Sequence, residues 1–271
     1  MKRFLVPLAI AAIALSGCGT SAADKAAQSQ NASVPASGGN YPVDVVSCGQ
    51  SLHFDAQPKK VLVLGATSTS NLDALGLFDK LSLRAGQAHF DAAAPDLQAK
   101  HDALPAVDSG KTDTGGVTVT TEVVLKEGVD LVIGYDKGVE REQLAKAGVQ
   151  LYSPEAYCPK YEVTKASWSD IDGELTRLAA IFGVPDKATT VIDDLHAKAD
   201  KLQQAASTDR GSAVAIYMLT AATKLRVYGT SSMIQPIFEA NGLKNVYDDN
   251  TTRVFDGTME DLLAKNPDWI V

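Results

Sequence analysis

The longest regular pattern of apolar positions in this chain runs from residue 186 to residue 206. Alanine, valine, isoleucine and leucine recur there at steps of three and four, which places them on one stripe of a helix. Pro185 stands where a helix begins, and Phe182-Gly183 ends a preceding amphipathic pattern that starts at Trp168. The pattern therefore predicts two successive helices, the second about 30 Å long.

Short apolar runs alternate with helical patterns on both sides of this helix pair. An alternation of apolar and polar residues over 41–54, interrupted at Cys48-Gly49, predicts a short strand pair. The further predicted strands are 61–64, 81–85, 104–107, 131–133, 149–152, 213–219 and 224–228, and the helices between them are 71–77, 120–127 and 141–147. Strands that alternate with helices indicate a mostly parallel sheet that is covered on both faces.

Two pairs of stretches indicate an internal repeat. In residues 122–133 and 260–271, glutamate, leucine and aspartate stand at the same spacing, and a short helix runs into an apolar strand. The stretch 61–65 with a helix ending at 75–77 likewise resembles 227–229 with a helix ending at 241–243. Chance is the alternative for so few matching positions. The repeat predicts two related lobes on either side of the long helix.

The predicted fold is therefore α/β, with two Rossmann-like α/β lobes joined by one long rigid helix. We place the first lobe at 41–167, the helices at 168–206 and the second lobe at 207–271. The strand at 268–271 corresponds to 130–133, after which the first lobe continues for about 35 residues. We therefore expect the second lobe to be incomplete, as in a fragment or a truncated gene, with an uncovered sheet edge.

The N-terminus has the pattern of a targeting segment. Lys2-Arg3 precedes an apolar stretch, 4–15, that is too short to span a bilayer. Leu15-Ser16-Gly17-Cys18 then resembles the bacterial lipobox, in which the cysteine is lipidated; an ordinary cleavable signal is the alternative. We expect a lipoprotein signal peptide at 1–18, a lipid on Cys18 that contacts the membrane, and a flexible tether at 19–40. The mature protein would then lie on the outer face of a bacterial cytoplasmic membrane.

The cysteine count predicts a disulfide, and the net charge argues against one class of partner. The chain has three cysteines, of which Cys18 is assigned to the lipid. Cys48 and Cys158 remain as an even pair in an oxidising compartment, which predicts a disulfide, with two separate buried thiols as the alternative. The formal net charge is −8 and no cluster of lysine and arginine occurs, which argues against nucleic acid as a partner.

Motifs of enzymes and of direct metal sites are missing from the sequence. Gly110-Lys111-Thr112 lacks the earlier glycine of a phosphate-binding loop, because position 105 is proline. Neither Gly-x-Ser-x-Gly nor His-Glu-x-x-His occurs, and the four histidines are scattered along the chain. We therefore expect no enzymatic activity, no resident cofactor and no metal bound directly by the protein.

The whole chain after Cys18 resembles the bacterial ABC-transporter substrate-binding lipoproteins with one rigid interdomain helix, class III of the periplasmic binding proteins, which carry iron–siderophores, haem or cobalamin. The features that carry the resemblance are the lipobox, 58–64, 75–77, 122–134, 182–206 and 260–271, in this order. A narrower similarity, to actinobacterial iron-complex binders, is carried by Tyr41-Pro-Val, Cys48-Gly49 and Tyr157-Cys158. The resemblance implies a monomeric receptor that captures a ferric-siderophore-type chelate between its lobes and delivers it to an ABC permease. Cobalamin or haem on the same scaffold is one alternative, and a surface interaction or sensor protein without transport is another.

In open α/β sheets, ligands bind beyond the carboxyl ends of the strands, so two lobes would present these loops to a shared cleft. Aromatic rings offer large rigid contact areas, and arginine binds anionic oxygens. The predicted ligand contacts are Thr67, Ser68, Thr69, Gln87, His89, Phe90, Ser109, Lys111, Tyr135, Asp136, Lys137, Tyr217, Arg226, Tyr228, Arg253 and Phe255. Core packing of the aromatic residues and solvation of the charges are the alternatives.

Glu122 and Glu260 form a separate candidate pair because they occupy equivalent positions of the repeat. The resemblance implies that they bind arginine pockets on the two subunits of the permease dimer. A favourable interaction with the dipole of each helix is the other explanation for a glutamate in a first turn.

Overall fold

The computed structural model of the protein describes residues 41–90, 92–111, 116–135, 137–206, 209–218 and 225–271. The predicted signal peptide, the tether, Cys18 and Asp136 lie outside these residues. Within the described part of the chain, no helix is both long enough and apolar enough to cross a membrane.

A parallel sheet of five strands forms the first lobe, as the alternation of strands and helices predicts. An antiparallel hairpin, β1 (Val43–Ser47) and β2 (Gln50–Phe54), precedes it. The following elements are β3 (Val61–Leu64), α1 (Thr69–Ala74), β4 (Leu81–Ala85), α2 (Pro95–Ala103), β5 (Ala106–Val107), β6 (Gly110–Lys111), β7 (Val117–Thr118), α3 (Thr121–Glu127), β8 (Leu131–Ile133), α4 (Arg141–Lys146) and β9 (Gln150–Tyr152). The spatial order of the parallel strands is β5-β4-β3-β8-β9, while β6 and β7 pair separately.

The side chains of β3, at the centre of this sheet, are buried on both faces of the sheet. All of its residues are fully buried, as its unbroken apolar run predicts. Val61 and Val63 enter one core together with Leu72 of α1. Leu62 and Leu64 point to the opposite face, where they enter a second core under α3 and α4.

Two successive helices follow, as the periodicity predicts: α5 (Trp168–Ile181) and α6 (Pro185–Ala205). α6 is one continuous helix of 21 residues. Its first turns pack on the first-lobe core, where Ala188 is buried. On the same predicted stripe Ala199 is also buried, whereas Leu195 and Leu202 are exposed, so the second half of the stripe is covered only in part.

In its described residues, the second lobe forms two sheets of three strands each. Its elements are β10 (Ser212–Val214), β11 (Ile216–Met218), β12 (Leu225–Tyr228), α7 (Ile234–Ala240), β13 (Lys244–Asn245), β14 (Val254–Gly257), α8 (Met259–Lys265) and β15 (Trp269–Ile270). The order β13-β10-β15 is parallel, and the order β11-β12-β14 is antiparallel. The predicted single strand 213–219 is wrong, because the chain leaves the parallel sheet at Ala215 and starts a second sheet.

The repeat predicted between 122–133 and 260–271 is confirmed. Both stretches contain a seven-residue helix, α3 or α8, followed by a strand that joins a parallel sheet. Each helix begins after a threonine, Thr120 or Thr258, whose hydroxyl accepts the backbone N–H three residues further along. This hydrogen bond satisfies one of the free N–H groups at the start of a helix.

The aspartates of the repeat also make equivalent contacts. Asp130 accepts the backbone N–H of Lys59 at 2.7 Å, shortly before β3 begins. Asp268 accepts the backbone N–H of Ser212, the first residue of β10, also at 2.7 Å. β10 is therefore the counterpart of β3 in the second lobe.

The other predicted correspondence, between 61–65 and 227–229, is wrong. Val227 lies in β12, which pairs antiparallel with both β11 and β14. The first lobe passes directly from β3 to α1, whereas in the second lobe β11 and β12 stand between β10 and α7. These two strands are thus an addition to the repeated unit.

The long helix is not the sole connection between the lobes in the described part of the chain. We call residues 155–166 the crossing segment, because it leaves the first lobe after β9 and reaches the second. The Ala166 N–H donates to the carbonyl oxygen of Thr230 at 2.8 Å, and the Thr230 hydroxyl donates to the Thr164 carbonyl oxygen at 2.6 Å. The Tyr161 hydroxyl donates to the carbonyl oxygen of Ser231 at 3.2 Å.

The predicted disulfide fixes the other end of the crossing segment to the first lobe. Cys158 is bonded to Cys48, which lies in the turn between β1 and β2. The bond closes a loop with a sequence separation of 110 residues. The crossing segment is therefore attached to the first lobe by a covalent bond and to the second by hydrogen bonds.

Candidate functional site

Aromatic side chains from both lobes meet around one arginine. Tyr135 follows β8, and Tyr157 ends a short turn after β9, so both lie beyond carboxyl ends of first-lobe strands. Their ring centroids are 5.7 Å apart. From the second lobe, the guanidinium carbon of Arg253 lies 5.4 Å from the centroid of the Tyr157 ring. This cation–π contact joins side chains of the two lobes.

Three more tyrosines, Tyr161, Tyr217 and Tyr228, lie in the surroundings of Tyr157 and Arg253. Burial raises the pKa of Tyr228, and the positive charge of Arg253 opposes this shift. Burial, assisted by Asp170, raises the pKa of Tyr161 to about 12, and Arg253 opposes this shift as well. The tyrosine cluster, as we define it, comprises Tyr135, Tyr157, Tyr161, Tyr217, Tyr228 and Arg253. The phenols that titrate above their ordinary range remain hydrogen-bond donors at neutral pH.

A cavity of about 370 Å³ opens beside this cluster. Ala156, Pro159 and Tyr161 of the crossing segment line one side of it, and Ser231 and Arg253 of the second lobe line the other. Its size and its position between lobes are typical of a small-molecule site. A larger cavity of about 880 Å³ lies around the disulfide, and the residues that line it all belong to the N-terminal lobe and the start of the crossing segment.

We assign the candidate site to the smaller cavity because side chains from both lobes converge there. The larger cavity is bordered by exposed side chains of both charges and, among the residues that the structure describes, by none of the second lobe. Among the described residues, no group of three or more histidine, cysteine, aspartate and glutamate side chains could hold a metal ion.

The structure separates the predicted second-lobe contacts into two groups. Tyr217, Tyr228 and Arg253 join the tyrosine cluster. Arg226 lies on the same sheet face, opposite Tyr217 on β11, and its guanidinium forms an ion pair with Asp256 of β14 at 2.7 Å.

Phe255 faces away from the tyrosine cluster. Its ring packs edge-on against Tyr247, with 5.3 Å between centroids, and it contacts the core that contains Val227. Successive residues of a strand point to opposite faces, so the prediction that Phe255 lies in the cleft is wrong.

The predicted first-lobe contacts also differ in their placement. Tyr135 lies in the cluster, where its hydroxyl accepts the backbone N–H of Val117. Thr67 and Thr69 are buried beneath the loop after β3, with exposures of 6% and 0%. Phe90 is half-buried and meets the ring of a buried histidine. The remaining first-lobe contacts are Ser68, which is half-buried, and Gln87, His89, Ser109, Lys111 and Lys137, which are exposed; Lys111 lies in β6 and the others in loops.

Sequence reasoning missed Tyr157 and Tyr161 as site residues. Both lie in the crossing segment, which has no helical or strand periodicity from which a position could be inferred. The available signal was the neighbouring Cys158. A disulfide at that position fixes the backbone next to Tyr157 and thereby holds an exposed aromatic side chain in place.

The candidate docking residues Glu122 and Glu260 occupy the same position in their helices. Each is the second residue after the capping threonine, and each side chain is exposed. The helices that carry them belong to different lobes and to equivalent parts of the repeat.

Two α/β lobes that are joined by a long helix, with a polar aromatic site between them, have the architecture of the solute-binding proteins of ABC importers. The chain belongs to the periplasmic binding protein family, whose profile matches residues 61–271. The family is one of solute-binding proteins rather than of enzymes.

Solved structures share the fold over most of the chain. An ABC-type Fe3+-hydroxamate transport protein from Saccharomonospora viridis is 28% identical, with a TM-score of 0.74, over 85% of this chain and 79% of that one. The heme binding protein HmuT is 18% identical, with a TM-score of 0.63, over 88% and 74% of the two chains. The vitamin B12 binding protein BtuF of Vibrio cholerae is 18% identical, with a TM-score of 0.55, over 79% and 75%. Among curated proteins, none matches the chain significantly.

Proposed function

We propose that this protein captures a ferric siderophore between its two lobes and delivers it to an ABC permease. The observation that carries the proposal is the tyrosine cluster, in which Tyr157 of the first lobe contacts both Tyr135, of the same lobe, and Arg253 of the second lobe. A ligand bound there would contact both lobes at once. Phenol rings provide apolar faces for the chelator, and their hydroxyls together with the guanidinium provide donors for its oxygen atoms.

The charge of the site favours a hydroxamate-type complex. Arg253 is the guanidinium that acts on the tyrosines, while Arg226 is paired with Asp256. Three hydroxamate groups, with one negative charge each, neutralise a ferric ion, whereas three catecholate groups leave a complex with a threefold negative charge. One arginine is a suitable partner for the first kind of complex and a poor one for the second. The hydroxamate transport protein from Saccharomonospora viridis supports the same choice.

Binding by purified protein tests the ligand class. We expect ferrioxamine B, a ferric tris-hydroxamate, to quench protein fluorescence saturably, and a ferric tris-catecholate to bind at least tenfold more weakly. Arg253→Ala and Tyr157→Ala should each weaken the binding of ferrioxamine B by roughly tenfold to a hundredfold, because truncation of a central arginine or aromatic contact has effects of that order. Arg210→Ala, at an exposed arginine, is the matched control. Wild-type protein that binds no hydroxamate complex would contradict the proposal.

A planar tetrapyrrole is the second candidate ligand class. The tyrosine cluster contains five aromatic side chains and a single arginine, and a cleft richer in rings than in arginine suits haem or cobalamin. The fold is shared with a heme binding protein and a vitamin B12 binding protein. Titration with haem and with cyanocobalamin under the same conditions distinguishes these ligands from ferrioxamine B.

Delivery of the ligand would require contact with a permease. We infer that Glu122 and Glu260 bind one permease subunit each, because the repeat presents them identically on the two lobes. We also infer that a lipid on Cys18 anchors the mature protein to the outer face of the cytoplasmic membrane. The mass of the mature N-terminal peptide checks this anchor.

A further inference from the structure

A buried glutamate lies behind the turn that carries Tyr157. Glu174 belongs to α5 and is 8% exposed. Its Oε1 atom accepts the backbone N–H of Glu155 at 3.1 Å, and Glu155 is the first residue of the short turn that ends at Tyr157. The carboxylate therefore contacts the main chain two residues before the ring that meets Arg253.

The remaining contacts of Glu174 keep its charge paired. The Arg177 guanidinium donates to Oε1 at 2.6 Å, and the Tyr152 hydroxyl donates to Oε2 at 2.5 Å. Burial raises the pKa of Tyr152 well above its ordinary value, so this hydroxyl stays protonated and remains a donor. A buried carboxylate is costly without such partners, and apolar residues of similar volume commonly stabilise a core equally well. Packing alone therefore does not account for an ionised group at this position.

The contact between the Glu174 carboxylate and the Glu155 N–H fixes the backbone just before Tyr157. Tyr157 is 43% exposed, so burial of its own ring does little to fix its orientation. Its backbone is held instead on both sides, by Glu174 two residues earlier and by the disulfide at Cys158 one residue later. The two anchors attach the turn to α5 and to the β1–β2 hairpin.

We propose that Glu174 is a positioning residue, which holds the turn of residues 155–157 so that the Tyr157 ring stays against Arg253. Its effect on ligand affinity rests on the proposed function, whereas its effect on the ring does not. Loss of the contact frees the start of the turn while the disulfide still holds its end. The ring then samples several orientations, and ligand contacts at Tyr157 weaken.

One backbone substitution removes this contact. Glu155→Pro replaces the N–H that Glu174 accepts with a ring carbon, which also displaces the carboxylate, while the side chains of Glu174, Arg177 and Tyr152 are all retained. Proline is compatible with the first position of a helical turn, and the extended conformation of Pro154 suits a following proline. Glu155→Ala is the matched control because it removes the same side chain but keeps the N–H.

The ring is observed directly by fluorine NMR of protein that contains 3-fluorotyrosine, with the Tyr157 signal assigned through Tyr157→Phe. We expect a shifted or broadened Tyr157 signal in the Glu155→Pro protein and in Glu174→Ala, and a wild-type signal in Glu155→Ala. Glu174→Gln should restore most of the signal because an amide oxygen also accepts the N–H. Asp172→Asn, on the same helix but paired with His196, should have no effect.

Ligand affinity provides the second measurement. The binding of ferrioxamine B should weaken about tenfold in Glu155→Pro and stay within twofold of wild type in Glu155→Ala. Identical Tyr157 signals in these two proteins would overturn the positioning role, whatever the ligand. A wild-type protein that binds no ferrioxamine B would contradict the proposed function, while the fluorine spectra would still decide the role of Glu174.

Discussion

The two lobes share a helix–strand unit, which we call the shared half, and differ in an antiparallel sheet, which we call the differing half. The shared half is the capped helix and parallel strand of α3–β8 and α8–β15, with an aspartate that binds the N-terminal end of the neighbouring strand. The differing half is the antiparallel sheet of β11, β12 and β14, which the second lobe alone contains in the described chain. The shared half carries Glu122 and Glu260, and the differing half carries Tyr217, Tyr228 and, next to β14, Arg253.

This difference indicates that the two halves have different binding partners. Repeated structure is suited to a partner that is itself made of two related subunits, because each lobe presents the same surface. A ligand of no particular symmetry requires different side chains from the two sides. We therefore expect changes in the repeated half to affect transport and changes in the other half to affect ligand binding.

The largest expected effect is on transport. Glu122→Lys combined with Glu260→Lys should abolish iron uptake from ferrioxamine B in a complemented deletion strain, because a reversed charge repels the arginine pockets that we infer on the permease. Affinity for ferrioxamine B, measured on the purified double variant, should stay within twofold of wild type. Glu142→Lys, in the first turn of α4 and outside the repeat, is the control. Normal uptake by the double variant would exclude the docking role of these two glutamates.

The second effect concerns the disulfide, which belongs to the first lobe alone. Cys48→Ser combined with Cys158→Ser should lower the free energy of unfolding by about 4 to 5 kcal/mol, because a loop with a sequence separation of 110 residues is no longer closed in the unfolded chain. Chemical denaturation of the two proteins measures this loss. A change below about 1 kcal/mol would mean that the bond contributes little to folding stability.

The smallest effect tests whether the repeat is equivalent in energy as well as in geometry. Thr120→Ala and Thr258→Ala each remove the hydroxyl that accepts an N–H at the start of a helix, at 3.3 and 3.1 Å. Each should lower stability by about 1 kcal/mol, and the serine variants should retain most of it. Equilibrium denaturation provides the values. A cost at one helix and none at the other would show that the two caps differ in strength.

Periodicity predicted the elements that are regular and buried. The bounds of β3, β4 and β8 agree with their apolar runs, and the stripe over 186–206 predicted α6 to within one residue at either end. These predictions succeed because burial on one stripe or in a central strand restricts which residues are possible. The stripe could not show that Leu202 stays exposed, since that depends on which neighbour packs against the helix.

The sequence-based predictions are wrong where the structure depends on strand pairing and register, which residue composition does not determine. An apolar run such as 213–219 can form one strand or two, and only the chain's departure from the sheet at Ala215 distinguishes them. Phe255 is aromatic like the site tyrosines, but the register of β14 directs it to the core. Tyr157 lies in an irregular segment, so its place in the site follows from a disulfide and a buried carboxylate that are distant in sequence.

The hydrogen bonds of Thr230 to the crossing segment have a mechanical consequence. A body attached to another at two separate points can turn only about the line that joins those points. One attachment is α6 and the other is the crossing segment, which itself borders the cavity. Any swing of the lobes about this line would therefore have its smallest amplitude beside the cavity.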